Sequence, residues 1–142
     1  MDVCSSAKRL GIVGNIAKPN WCEIYSQSPI PVGTYISIPL EYLNPVTGDV
    51  EHHCFVGVIS SNKYQGSVPI SPSAMINASV SIEGLLGTFS PAYATIFADI
   101  SIASGGSIEV KTPKVPPRPG AAVFLASSQV LQMLFSRNES SI

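Results

Sequence analysis

Charge is scarce in this sequence. Asp, Glu, Lys and Arg make up 12% of its 142 residues while 45% are hydrophobic, roughly half the charged share usual for a soluble domain. A surface so poor in charge suits contact with other protein. Neither sign dominates: nine acids and eight bases leave a net charge of −1. That excludes an overall electrostatic footprint for nucleic acid, so any basic contact must be local. Long apolar runs are missing too, and nothing approaches the ~20 residues that span a bilayer. The opening MDVCSSAKRLGIVGNI has neither the apolar stretch nor the cleavage site of a signal peptide, so a cytoplasmic location is expected. Cysteine is sparse and odd in number. Cys4, Cys22 and Cys54 lie at irregular spacing, which argues against a secreted disulfide framework and for reduced thiols.

The common catalytic fingerprints are absent as well. Phosphate-loop chemistry needs a glycine-rich turn followed by lysine and a hydroxyl residue, and no GxxxxGK[ST] occurs. GxSxG, HExxH and GxGxxG are missing. The chain is therefore read as non-enzymatic, with no catalytic, metal or cofactor-binding residue of its own. His52, His53 and Cys54 with Cys22 have the right atom types for zinc, yet neighbours on an extended strand point to alternate faces and do not converge. A Cys54–His nucleophile pair fails for the same reason and lacks an orienting group. The expectation is two exposed histidines at a hairpin base and a cysteine entering the core. Asp99, amid Ile96, Phe97, Ala98 and Ile100, is expected to face solvent or to pair with a backbone amide. The sequons at Asn77 and Asn138 carry no functional weight without a secretory signal.

What is present is β pattern and turn chemistry, on a length that fits one domain. Leu10–Gly14 reads as an opening strand and Glu23–Ser26 as a second. After Ser28-Pro29-Ile30-Pro31, the run Val32–Ile38 puts Thr34, Ile36 and Ile38 on one face and Tyr35 and Ser37 on the other. Asn44–Asp49 is a long hairpin tip, followed by the strand Phe55–Ile59. Ala94–Ile102 and Ile108–Lys111 flank Ser104-Gly105-Gly106-Ser107 as a second hairpin. Ala122–Ala126 is the last strand, and Ser127 or Ser128 caps a helix from about Gln129, with Val130, Leu131, Leu134 and Phe135 on one side. Residues 66–92 fit both a helical and a strand period, and a helical excursion around 72–88 is the expectation. Short strands between turns indicate a mainly β fold, a small barrel or a sandwich.

Between the last two strands lies KTPKVPPRPG. Lys111, Lys114 and Arg118 place three positive charges within eight residues, and Pro113, Pro116, Pro117 and Pro119 hold the segment extended and off any ladder. It is either a solvated loop or a rigid basic strap for a partner, phosphate backbone or neighbouring subunit, since proline stiffness lowers the ordering cost of binding. On local chemistry, Lys111, Lys114, Pro116, Pro117 and Arg118 are the candidate contact residues. Trp21 and Tyr25 beside Lys18 would serve the alternative of an autonomous barrel that stacks single-stranded nucleic acid or acts as a protein adaptor.

In order, GIVG, YSQSPIPVGTYISI, CFVGVIS, ATIFADI and IEVKTPKVPPRPGAAVFLASSQVLQMLF resemble the amino-terminal HAS-barrel of HerA-type ATPases, DNA translocases that work with the NurA nuclease. The likeness runs from about Leu10 to Phe135, and PIPVGTYI and PPRPGAAVFLAS are its most specific parts. It implies a small closed β-barrel like that at the head of rotary ATP synthase subunits, with a short C-terminal helix. The barrel would occupy 1–135, and 136–142 would begin the connection to a RecA-like motor this chain lacks. The family's catalytic residues, ATP and Mg belong to that motor, so none is carried over. The implied roles are barrel-to-barrel packing in a homo-hexameric ring and docking of a NurA-like nuclease in DNA end resection and repair. DNA would be met only through the full assembly, and no membrane would be involved.

Overall fold

Alternation along the strands decides which residues line the core, and the computed structural model, which describes residues 2–5, 7–62, 90–102 and 107–140, shows how those strands meet. A 3-10 turn, Asp2–Ser5, precedes β1 (Arg9–Lys18), β2 (Trp21–Ser26), β3 (Tyr35–Leu43), β4 (Val50–Asn62), β5 (Ser90–Ile102), β6 (Ile108–Lys111) and β7 (Ala122–Leu125). A helix, α1 (Ser128–Ser140), follows. The pairing order is β2-β1-β7-β3-β4-β5, and β5 pairs back onto β2. All six contacts are antiparallel, so the sheet closes into a six-stranded barrel and not a sandwich. Strand β5 makes closure and extension possible together. Its first half, from Ser90 to Thr95, pairs with β2, and its last residues, Asp99 to Ile102, pair with β6 along the same edge.

Inside the barrel, Val13, Ile24, Ile36, Ile38, Phe55 and Ile96 form a continuous buried cluster. The opposite face of β4 and β5 is also covered. Cys54, Val56, Ala98 and Ile100 pack beneath Cys4 of the 3-10 turn and Val130 and Leu134 of α1. Strand β4 is therefore buried on both faces from Cys54 to Gly57. Ile36 and Ile38 point inward as their period predicts. Ser37, on the other face, is nevertheless buried, because the 3-10 turn covers it and its hydroxyl donates to the Cys4 carbonyl at 2.7 Å.

Ser127 is the helix N-cap: its Oγ accepts the Val130 amide at 3.2 Å and donates to the Val3 carbonyl. One hydroxyl thus caps α1 and ties down the amino terminus. Gly57 sits at a register shift in β4, where a Cβ would lie 2.5 Å from the Thr95 carbonyl oxygen. Because Val56 pairs with Ala98 and Gly57 with Ile96, Phe97 is the extra, bulged residue of β5. Its ring meets Tyr35 edge-on at 6.2 Å. Gly33 enters β3 at φ +94°, the left-handed region that glycine tolerates.

The expectation of three reduced cysteines is overturned. Cys4 and Cys54 form a disulfide with Cα atoms 5.8 Å apart, and only Cys22 is free. The pair is separated by 50 residues, so spacing could not disclose it; the folding of the 3-10 turn onto the outer face of β4 does. Burial pushes the Cys22 thiol up to about 12, assisted by nearby Glu23, so it stays protonated and unreactive. The excursion expected around 72–88 lies outside the described residues. Helix α1 runs from Ser128 to Ser140. Among the described residues no helix is long and apolar enough to cross a membrane.

Replacing Cys4 with Ser is expected to lower unfolding free energy by about 2–4 kcal/mol, mostly through the freed unfolded chain. Urea titration with and without reductant checks it. Reductant should bring the wild type down to the level of the variant and leave Cys22→Ala no more sensitive than wild type.

Candidate functional site

Circular order fixes where the proline segment must go. In the ring β2-β1-β7-β3-β4-β5, β5, which carries β6, stands three strands from β7 in either direction. The chain from Lys111 to Ala122 therefore crosses one end of the barrel. Val115, midway, packs against the interior cluster, and Pro113 and Pro117 are buried. The far end is pinned where Gly120 donates to the Val13 carbonyl and Val13 to the Ala121 carbonyl, at 2.8 and 2.9 Å. The segment is a strap that plugs the barrel, with no proline amides to leave unpaired.

Its charges point outward. Lys111 pairs with Glu109 at 2.9 Å, and that hydrogen bond, with the neighbouring negative charge, raises its pKa. Arg118 Nη2 donates to the Glu41 carbonyl at 3.1 Å. Lys114 and Pro116 are exposed. Four of the five expected contact residues thus form an exposed fringe across the strap. Pro117 is the correction: it is fully buried and serves as part of the plug.

Beside the strap, the inward face of the β3–β4 hairpin carries a polar cluster. Glu51 and His53 share the face of Phe55 by strand alternation, and Asp99 stands opposite Phe55 across β4 and β5. His53 Nδ1 lies 2.6 Å from Asp99 Oδ2 and Nε2 lies 2.9 Å from Glu51 Oε1. Tyr42 and Asn44 donate to the two oxygens of Glu51 at 3.0 and 2.8 Å. The imidazole is stacked between Tyr42 and Phe55, with ring centroids at 5.1 and 5.8 Å.

These neighbours push the two carboxyl groups apart. Hydrogen bonds from Asn44, His53 and Tyr42 hold Glu51 down at about 2. Burial raises Asp99 above the usual carboxylate range, opposed by the charge and hydrogen bond of His53. Tyr42 is raised, first by desolvation and then by Glu51. Both ring nitrogens of His53 face carboxylates, so the ring has no lone pair aimed at a substrate proton. The cluster ties β3, β4 and β5 together at the strapped end. It is a hydrogen-bonded network that joins side chains of three neighbouring strands.

The sequence reading of this region needs three corrections. His52 is exposed, as expected, 3.8 Å from Glu41, but His53 is largely buried. Asp99 is also buried, and its partner is a side chain, not solvent or a backbone amide. Cys54 enters a packed core, as expected, but as half of a disulfide. The signal that could have found the pair was the register of β4 against β5, which requires knowing that the two strands are neighbours. Among the described residues no group of three His, Cys, Asp or Glu side chains is arranged to hold a metal. Trp21 stacks on Tyr93 at 5.4 Å and Tyr25 is buried, so the two do not form the stacking pair that the nucleic-acid alternative would use.

No family model matches this chain, and no curated protein matches it.

Two outcomes test the cluster. His53→Ala leaves Asp99 buried without its partner and should cost about 3 kcal/mol at neutral pH in chemical denaturation. Glu51 has a folded-state pKa of about 2 against about 4.3 when unfolded. Its contribution is therefore present above the unfolded value and lost as pH falls through the folded one. In acid titration, Glu51→Gln should remove that share of the pH dependence and flatten the loss of stability across this window.

Proposed function

We propose that this chain is the non-catalytic amino-terminal barrel of a HerA-like hexameric DNA translocase, serving ring assembly and docking of a NurA-like nuclease during DNA end resection and repair. The observation that carries the reading is the succession of strap, closing strand and capped helix. The strap plugs one barrel end, β7 completes the ring between β1 and β3, and Ser127 turns the chain at once into α1 against the outer wall. This is the order and architecture the sequence resemblance implies. On this reading α1 leads toward the RecA-like motor, where ATP and Mg would bind.

The wall beside α1 supports a role in contact. Tyr35, Phe97 and Phe135 form an edge-to-face aromatic group, each ring more than one-third exposed. Half-exposed aromatics of this kind are enriched at protein interfaces. The cationic fringe of Lys111, Lys114 and Arg118 is the second candidate surface, suited to an acidic patch on a partner. Nucleic-acid binding by the isolated barrel is the weaker reading, because Trp21 is already stacked and Tyr25 is buried.

Pull-down with a NurA-like nuclease tests the proposal directly. The intact chain should retain the nuclease, and the triple variant Lys111→Ala, Lys114→Ala, Arg118→Ala should weaken retention roughly tenfold if the fringe is the docking face. Full retention by the triple variant moves docking to the aromatic wall. No retention by the intact chain sinks the nuclease-docking role.

A further inference from the structure

The amino-terminal turn belongs to neither the barrel nor the helix, yet it is fastened to both. None of the six strand pairings that close the sheet involves it, and the interior cluster contains none of its side chains. Strand β4, at the other end of the disulfide, is paired to β3 on one side and to β5 on the other. The bond therefore joins a fixed wall to a four-residue 3-10 turn, a piece too short for much cohesion of its own.

The hydrogen bonds that seat the turn are of the ordinary kind. The Cys4 carbonyl accepts the Ser37 hydroxyl at 2.7 Å, and the Val3 carbonyl accepts the Ser127 hydroxyl at 3.2 Å. A bond of this type shifts an equilibrium by about fivefold net, because water offers both groups the same partners once they separate. The covalent link is different in kind: it keeps the turn at its seat however often the hydrogen bonds open. Cys4 and Cys54 are both buried, so a reagent reaches their sulfurs when the turn lifts. Cys22 takes no part, because it sits in the interior cluster while Cys54 belongs to the outer one.

We propose that the Cys4–Cys54 disulfide is a thiol-operated latch: reduction releases the amino-terminal turn from the outer wall while the barrel stays closed, and reoxidation seats it again. The reductant is a dithiol. One of its thiolates attacks Cys4 Sγ as the turn lifts, forming a mixed disulfide and expelling Cys54 as a thiolate that takes up a proton. The second thiolate of the reductant then displaces Cys4, which is protonated in turn. The reductant leaves as a cyclic disulfide, having given the protein two electrons and two protons. Release removes the carbonyl partner of the buried Ser37 and uncovers Cys54 and the apolar face around it. Ser127 Oγ keeps the Val130 amide and goes on capping α1. Tyr35 shares the outer face of β3 with Ser37, and its ring is already exposed, so reduction enlarges the apolar wall at that point. The latch is a property of the barrel and needs neither a motor domain nor a nuclease.

Amide hydrogen exchange followed by nuclear magnetic resonance on the whole chain tests the latch, with and without dithiothreitol and with Cys22→Ala as the background. Amides of residues 2–5 should exchange about tenfold faster or more in the reduced protein, whereas those of β2 and of the centre of β4 stay protected. Oxidised glutathione should restore the slow exchange. Cys4→Ser should show the fast exchange with or without reductant, and fluorescence of anilinonaphthalene sulfonate should rise on reduction as the wall is bared. A turn that keeps its protection after mass spectrometry shows both thiols reduced overturns the proposal. Loss of protection in β2 and β4 together with the turn also overturns it, because the bond would then hold the barrel and not the turn alone. So does a disulfide that dithiothreitol leaves intact in the folded protein, or a release that oxidised glutathione does not reverse.

Discussion

Closure depends on one pairing. Six residues of β5 lie against β2, from Trp21–Thr95 to Ser26–Ser90, and without them the sheet would be an open ribbon with β2 and the first half of β5 as bare edges. With them, the inward residues of six strands share one interior, and Phe55, Ile24 and Ile96 bury one another although they lie far apart in sequence. Closure also fixes the strap. A chain leaving β6 can reach β7 only across an end of the barrel, so a proline-rich stretch that would otherwise wander in solvent becomes a plug anchored on Val115 and Pro117.

A second core lies outside the first, and it explains why a small β-barrel has a helix. The outer faces of β4 and β5 are apolar at Cys54, Val56, Ala98 and Ile100 and need a cover. Helix α1 supplies Val130 and Leu134, and the amino-terminal turn supplies Cys4. Three attachments hold that turn: the disulfide to β4, Ser37 to the Cys4 carbonyl and Ser127 to the Val3 carbonyl. A short 3-10 turn has little cohesion of its own, so it is the joining of β3, β4 and the helix cap that keeps it in place. The amino-terminal turn and the start of α1 are thereby fastened to the same patch of wall.

The polar cluster shows how one environment gives two carboxylates different behaviour. Glu51, held by three donors, is kept ionised deep into acid, whereas burial raises Asp99 and makes His53 its necessary partner. Burial on this scale leaves polar groups costly unless paired. The pairing spends the histidine on structure, fixing the hairpin whose tip stands bare at that end.

The sequence by itself determined the mainly β composition, most strands, the exposed hairpin tip, the inward face of Ile36 and Ile38, and a helix cap at Ser127 or Ser128. Each follows from the alternation or turn chemistry of a few adjacent residues. It also located the strap, because four prolines forbid a ladder wherever the chain goes. Only the tertiary structure decided between barrel and sandwich, that Cys4 meets Cys54, that His53 and Asp99 are buried together, and that Pro117 is core while Lys114 is surface. Each of these depends on which distant strands become neighbours. That choice is made by burying apolar faces over the whole chain, and no short window of residues contains it.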